Sequence, residues 1–169
     1  SRLWENNVGR SKTYWKHHFQ KLKKNTELKI TMEELKKLLI ELESKIPNQE
    51  LLNLLVSKSS VGWHIEHILL TMNLVIESIH KSNPDNYKRT FNFNRFLVFT
   101  LNKIPRGKVK APRMVRPQED FTTNSLKNHL EKVNSNLEKF DTLSANNYFE
   151  HPFMGQLNLK PTIRFLKIH

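Results

Sequence analysis

Apolar residues recur along this chain at intervals of three and four, the pattern of helices with one buried face. Leu35, Leu38, Leu39 and Leu42 follow that spacing. Thr31 with Glu34 reads as a capping box at the start of their helix. Pro47 ends it. Leu51, Leu52, Leu54 and Leu55 suggest a second, short apolar turn. Ser59 and Ser60 suit the N-cap of a helix over 60–81. Its apolar face holds Val61, Ile65, Ile68, Leu69, Met72, Val75, Ile76 and Ile79. Asn83-Pro84-Asp85-Asn86 is turn chemistry that closes it. A third helix is predicted between Phe91 and Ile104, although its Phe and Val residues also suit strands.

Residues 105–121 carry Pro105, Pro112 and Pro117 without a clean period, so they read as a long loop. Thr123 is expected to cap a fourth helix with Leu126, Leu130, Val133, Leu137 and Phe140 on one face. His151 to Leu157 reads as a short loop that packs Phe153 into the end of the bundle. Asn158 then caps a last helix with Pro161 in its first turn. The expected fold is all-α, an antiparallel four-helix bundle.

Length and composition narrow this further. A chain of 169 residues with 37% apolar content fits one domain and a modest core. No apolar run approaches the 18 or so residues of a membrane-spanning helix, and no signal-peptide pattern is present. The absence of cysteine excludes disulfides, zinc ribbons and thiol nucleophiles, and agrees with a cytoplasmic protein. The net charge of +12 points to an anionic partner. Half of it lies in residues 1–25, where Arg2, Arg10, Lys12, Lys16, Lys21, Lys23 and Lys24 face only Glu5. Residues 1–27 are therefore read as a basic N-terminal arm before the bundle at 28–169. Trp4, Tyr14, Trp15 and Phe19 interleave with those charges, which suits nucleic acid, an anionic membrane surface or a solvated arm.

Few residues can carry chemistry. His67 is in phase with Ile68, Met72 and Val75, so its imidazole turns inward. An inward imidazole needs a metal, a carboxylate or a backbone carbonyl as partner. His64, three residues earlier, falls at the rim. Glu66 is either a surface carboxylate or an acceptor that orients an imidazole. His151 is either part of a turn or a catalytic or orienting histidine. Arg106, Lys108, Lys110 and Arg113 belong to a basic segment without acids, either a solvated charge run or a clamp for an anionic substrate. There is no glycine-rich phosphate loop, nucleophile elbow or His-Glu-x-x-His motif.

Three segments together resemble the DinB-like (YfiT-like) superfamily of metal-dependent helical bundles, nearest to a bacterial branch of unknown function. They are Ser59-Ser60-Val61-Gly62-Trp63-His64-Ile65-Glu66-His67, Pro105-Arg106-Gly107-Lys108-Val109-Lys110-Ala111-Pro112, and His151-Pro152-Phe153-Met154-Gly155 with the helix that follows. The resemblance covers about residues 28–169. It implies a four-helix bundle, often a homodimer, with one divalent metal on three histidines, a donor set whose chemistry suits the Zn or Ni class. One ligand lies on the second helix and two, spaced by four, on the last. Carried over by position, His67 is the first ligand and His169 the first of the closing pair. The partner of His169 would fall four residues further on, so the last helix is read as cut short. Ser59 stands where relatives commonly have Trp. The implied activity is hydrolysis or thiol transfer on a small anionic or thiol substrate, with Glu66 and His151 as outer-shell candidates. The competing expectation is a non-catalytic bundle that holds nucleic acid or another anionic partner through its arm.

Overall fold

The computed structural model describes His18 and residues 26–104, 112–118 and 121–169. Most of the basic arm at 1–27, and Arg106, Lys108 and Lys110, lie outside the described residues. The chain divides into two compact units, Ser1–Glu34 and Leu35–His169. In the first, residues from 26 onward are helical. Thr31 is not a cap there. Its hydroxyl donates to the carbonyl of Glu27 at 2.8 Å, the back-bond of a threonine inside a helix.

The second unit is mostly helical. The helical run 26–45 (α1) contributes buried Leu35 and Leu39 to it, while Leu38 stays exposed. A 3-10 turn at Ile46–Asn48, with Pro47 inside it, follows directly. Leu51, Leu52, Leu54 and Leu55 are all exposed, contrary to the expected apolar packing. Asn53 folds this stretch into a tight turn through its side-chain and backbone oxygens, which leaves the leucines outside. The stretch instead supplies carbonyls to the next helix. Gln49 and Leu51 accept from the N–H groups of Gly62 and Val61 at 2.8 and 2.9 Å, satisfying donors that a helix start leaves unpaired.

Helix α2 spans Val61–Lys81, with the Ser60 hydroxyl accepting from Trp63 N. A Cβ on Gly62 would overlap the Phe121 ring and lie 2.9 Å from Gln49 Cβ, so only glycine lets the chain approach this closely. Helix α3 spans Phe93–Leu101, capped by Asn92 and closed by Asn102 in the left-handed conformation (φ 48°). It is short and buries only Val98. A 3-10 turn at Arg113–Val115 buries Val115. Helix α4 spans Thr123–Glu138. Its cap is Thr122 rather than Thr123, in a reciprocal box with Ser125.

Leu126, Leu130, Val133 and Leu137 of α4 form the core with Ile65, Leu69, Met72, Ile76 and Ile79 of α2. Each such side chain stabilises the fold by about 1.5–3 kcal/mol when fully buried. Cross-helix partners rise together: Glu66 with His129, Glu77 with Lys132, His80 with Asn136. The two helices therefore run in the same direction, and the expectation of antiparallel neighbours fails for this pair. The long connection through α3 returns the chain to the starting end before α4 begins.

The segment read as a loop is a hairpin. Strands β1 (Tyr148–His151) and β2 (Gly155–Asn158) pair antiparallel, His151 opposite Gly155. Gly155 has φ 66°, which glycine adopts without strain at the end of a three-residue turn. Met154 is the buried residue of that turn, and Phe153, expected inside, is 47% exposed. Asn147 ties the hairpin to the end of α2, donating to the carbonyls of Ile79 and Ser82. Helix α5 spans Leu159–Ile168. Asn158 precedes it without a side-chain cap, and Thr162 Oγ1 donates to Leu157 O at 2.7 Å instead. No helix among the described residues is long and apolar enough to cross a membrane.

Candidate metal centre

The hairpin returns the chain so that the end of α5 meets the first turns of α2. His67 and His169 face each other there, their ring centroids 5.1 Å apart and the planes tilted by 58°. His67 is half-buried. Its Nδ1 lies 2.7 Å from the carbonyl oxygen of Val115, which can only accept. The proton of the neutral ring is thereby held on Nδ1, and Nε2 keeps its lone pair. A metal-binding imidazole needs this arrangement, a second nitrogen donating to an outer partner. Trp63, one turn earlier on α2, stacks on the same ring at 5.5 Å and 20°.

His169 is placed by its backbone N–H, which donates to Phe165 O at 3.0 Å, and by the Phe165 ring at 5.5 Å. Its Nε2 is buried and has no hydrogen-bond partner among the described residues. A buried nitrogen in that state costs about 1–3 kcal/mol. Burial, with His67 and then His151 nearby, pushes the His169 imidazole down to about 4. The ring is neutral at ordinary pH, the form that binds metal.

Two imidazoles on one tetrahedral ion, with N–metal distances of about 2.1 Å, have centroids roughly 5 Å apart. The separation of His67 and His169, the free Nε2 of one and the orphaned Nε2 of the other fit a divalent ion of the Zn or Ni class. No third donor joins them: among the described residues no group of three or more His, Cys, Asp or Glu is placed to hold a metal.

Of the other expected site residues, His151 stays near His169, on the same Phe165 ring, and the rest go elsewhere. Glu66 is buried and accepts from His129 Nδ1 of α4 at 2.9 Å, on the side of α2 turned toward α4. His151 packs edge-on against Phe165, at 5.1 Å. Its Nδ1 accepts from the N–H groups of Phe153 and Met154, so it shapes the hairpin turn, and its own proton sits on Nε2. Burial lowers its pKa. His64 is exposed and bonds Ser57 Oγ at 2.9 Å. Arg113 is exposed on the turn that carries Val115.

Three contributors were not singled out from sequence as site or partner residues: Trp63, the Val115 carbonyl and His129. Trp63 was within reach, because position i−4 to an inward histidine shares its face. The carbonyl, 48 residues from His67, leaves no local signal. Compared with known protein families, curated proteins and solved structures, the chain matches none.

Proposed function

We propose that this chain is a DinB-like helical-bundle protein that binds a divalent transition metal between His67 and His169 and uses it for hydrolysis or thiol transfer. A cytoplasmic homodimer belongs to the same reading. The observation that carries it is the buried, unpartnered Nε2 of His169 beside a second imidazole whose Nδ1 is already tied to Val115. A satisfied structural histidine would leave neither nitrogen in that state.

When bound, such an ion polarises an oxygen or lowers the pKa of a bound water or thiol. The residues around it have distinct tasks. Val115 holds the tautomer of His67, and Trp63 covers one face of that ring. The Phe165 ring packs against that of His169. His151 is the remaining outer-shell candidate, through its Nε2 proton, and Arg113 is the described candidate for an anionic substrate group. Glu66 is left out of this shell, because His129 takes its carboxylate.

The test is calorimetric titration of the metal-stripped chain with Zn²⁺ and Ni²⁺. One ion per chain is expected, bound more weakly than in a three-histidine site. The binding should be lost in His67→Ala and in His169→Ala, and kept in His64→Ala. Binding unchanged in either of the first two variants would contradict the assignment.

A further inference from the structure

A second surface has no part in the histidine site. From Asn86 to Gln118 the chain carries nine Lys or Arg residues and no Asp or Glu. Inside this basic stretch, α3 and the residue pair before it turn aromatic and aliphatic side chains outward. Phe91 is 81%, Phe93 61%, Phe96 53% and Leu101 67% exposed. The Phe91 and Phe96 rings lie 6.4 Å apart, and Phe93, Leu97 and Leu101 recur every four residues along one side of α3. Scattered exposed hydrophobics are ordinary, but a group held together in this way marks an interaction surface. Lys88 and Arg89 flank it on one side and Lys103 on the other, all exposed.

We propose that this face docks the protein onto an anionic lipid surface. The phenyl and leucyl groups enter the headgroup–acyl boundary, and the flanking cations meet the phosphate and carboxylate groups. Charge complementarity sets the partner as anionic. The chemistry of the face favours lipid over nucleic acid. Its two arginines are already committed to main-chain oxygens, Arg95 to Thr90 and Gln156, and Arg164 to Phe99. Arg164 also lies over the Phe99 ring, at 4.9 Å. What remains outward includes the aliphatic Leu97 and Leu101, which offer a base nothing to stack on, and the exposed Lys88, Arg89 and Lys103 are suited to headgroups. A second copy of the chain would bring like charge against like charge.

The experiment is co-sedimentation of the full chain with vesicles of phosphatidylcholine alone and of phosphatidylcholine with phosphatidylserine. Binding is expected with the second and not the first, and weakened by added salt. Phe93→Ser with Phe96→Ser should reduce the partition coefficient by at least about tenfold. Lys88→Glu with Arg89→Glu should reduce it about as much. All four positions are on or beside the surface, and unchanged far-UV circular dichroism would show the variants folded. The proposal is overturned by no binding to the anionic vesicles, or by binding that the phenylalanine substitutions leave intact. It is equally overturned if those substitutions dissociate a dimer seen by light scattering, or abolish tighter binding to a single-stranded oligonucleotide.

Discussion

Glu66 and His67 are neighbours on one helix and lead to opposite outcomes. Glu66 turns toward α4 and finds His129 at 2.9 Å, so a buried carboxylate and an imidazole satisfy each other. His67 turns toward the end of α5 and finds a ring whose Nε2 has no hydrogen-bond partner among the described residues. The first pair behaves as structure: each charge or dipole has its partner, and breaking it costs stability. The second leaves one nitrogen of His67 free and one of His169 orphaned. A fold tolerates that deficit where a ligand can repair it. The difference separates a polar core contact from the proposed site, and neither residue type nor burial alone would have done so.

The widest separation between the two pairs should appear in acid. The His169 imidazole is lowered to about 4 in the folded chain, against 6.5 for the ordinary group. Between those values the unfolded chain binds the proton and the folded chain does not. Stability therefore rises with pH across that window, and falls as pH drops from 6.5 toward 4. The full loss is on the order of 3 kcal/mol. His151, also lowered by burial, adds in the same direction. Urea midpoints measured from pH 7 down to pH 4 should fall steadily in the native chain and much less in His169→Phe. Equal slopes in the two proteins would show that the His169 environment is not as described.

A smaller effect sharpens the other half of the comparison. His129→Ala removes the partner of a buried carboxylate and should cost about 1–3 kcal/mol in chemical denaturation. Its affinity for Zn²⁺ should match that of the native chain. Loss of metal binding in this variant would join the two pairs into one site and end the contrast.

Much of the helical framework was legible in the sequence. The Ser60 cap, the apolar face of α2, the stop at Pro47 and the stripe from Leu126 to Leu137 all follow from helical periodicity and capping, which are local properties. The misses have physical reasons. Leu51 to Leu55 looked like core because apolar composition does not say whether a covering surface exists. The hairpin was hidden because its strands are four residues each, too short for an alternating pattern. Thr31 and Glu34 have the letters of a capping box, but the helix had already begun. In the candidate site, the inward phase of His67 could be read from its neighbours on α2. The role of Val115 could not, because a main-chain carbonyl carries no residue signature. Glu66 went to α4 because one residue along a helix rotates a side chain by about 100°.

The most direct test of the histidine pair is a Zn²⁺ titration followed by long-range ¹⁵N–¹H spectra of the histidine rings. The Nε2 signals of His67 and His169 are expected to move together and reach their end point at one equivalent. Over the same range His67 keeps its proton on Nδ1, His129 stays still, and His151 shifts by less than either ligand. Ring signals that do not move, or that shift first at exposed His64, would contradict it.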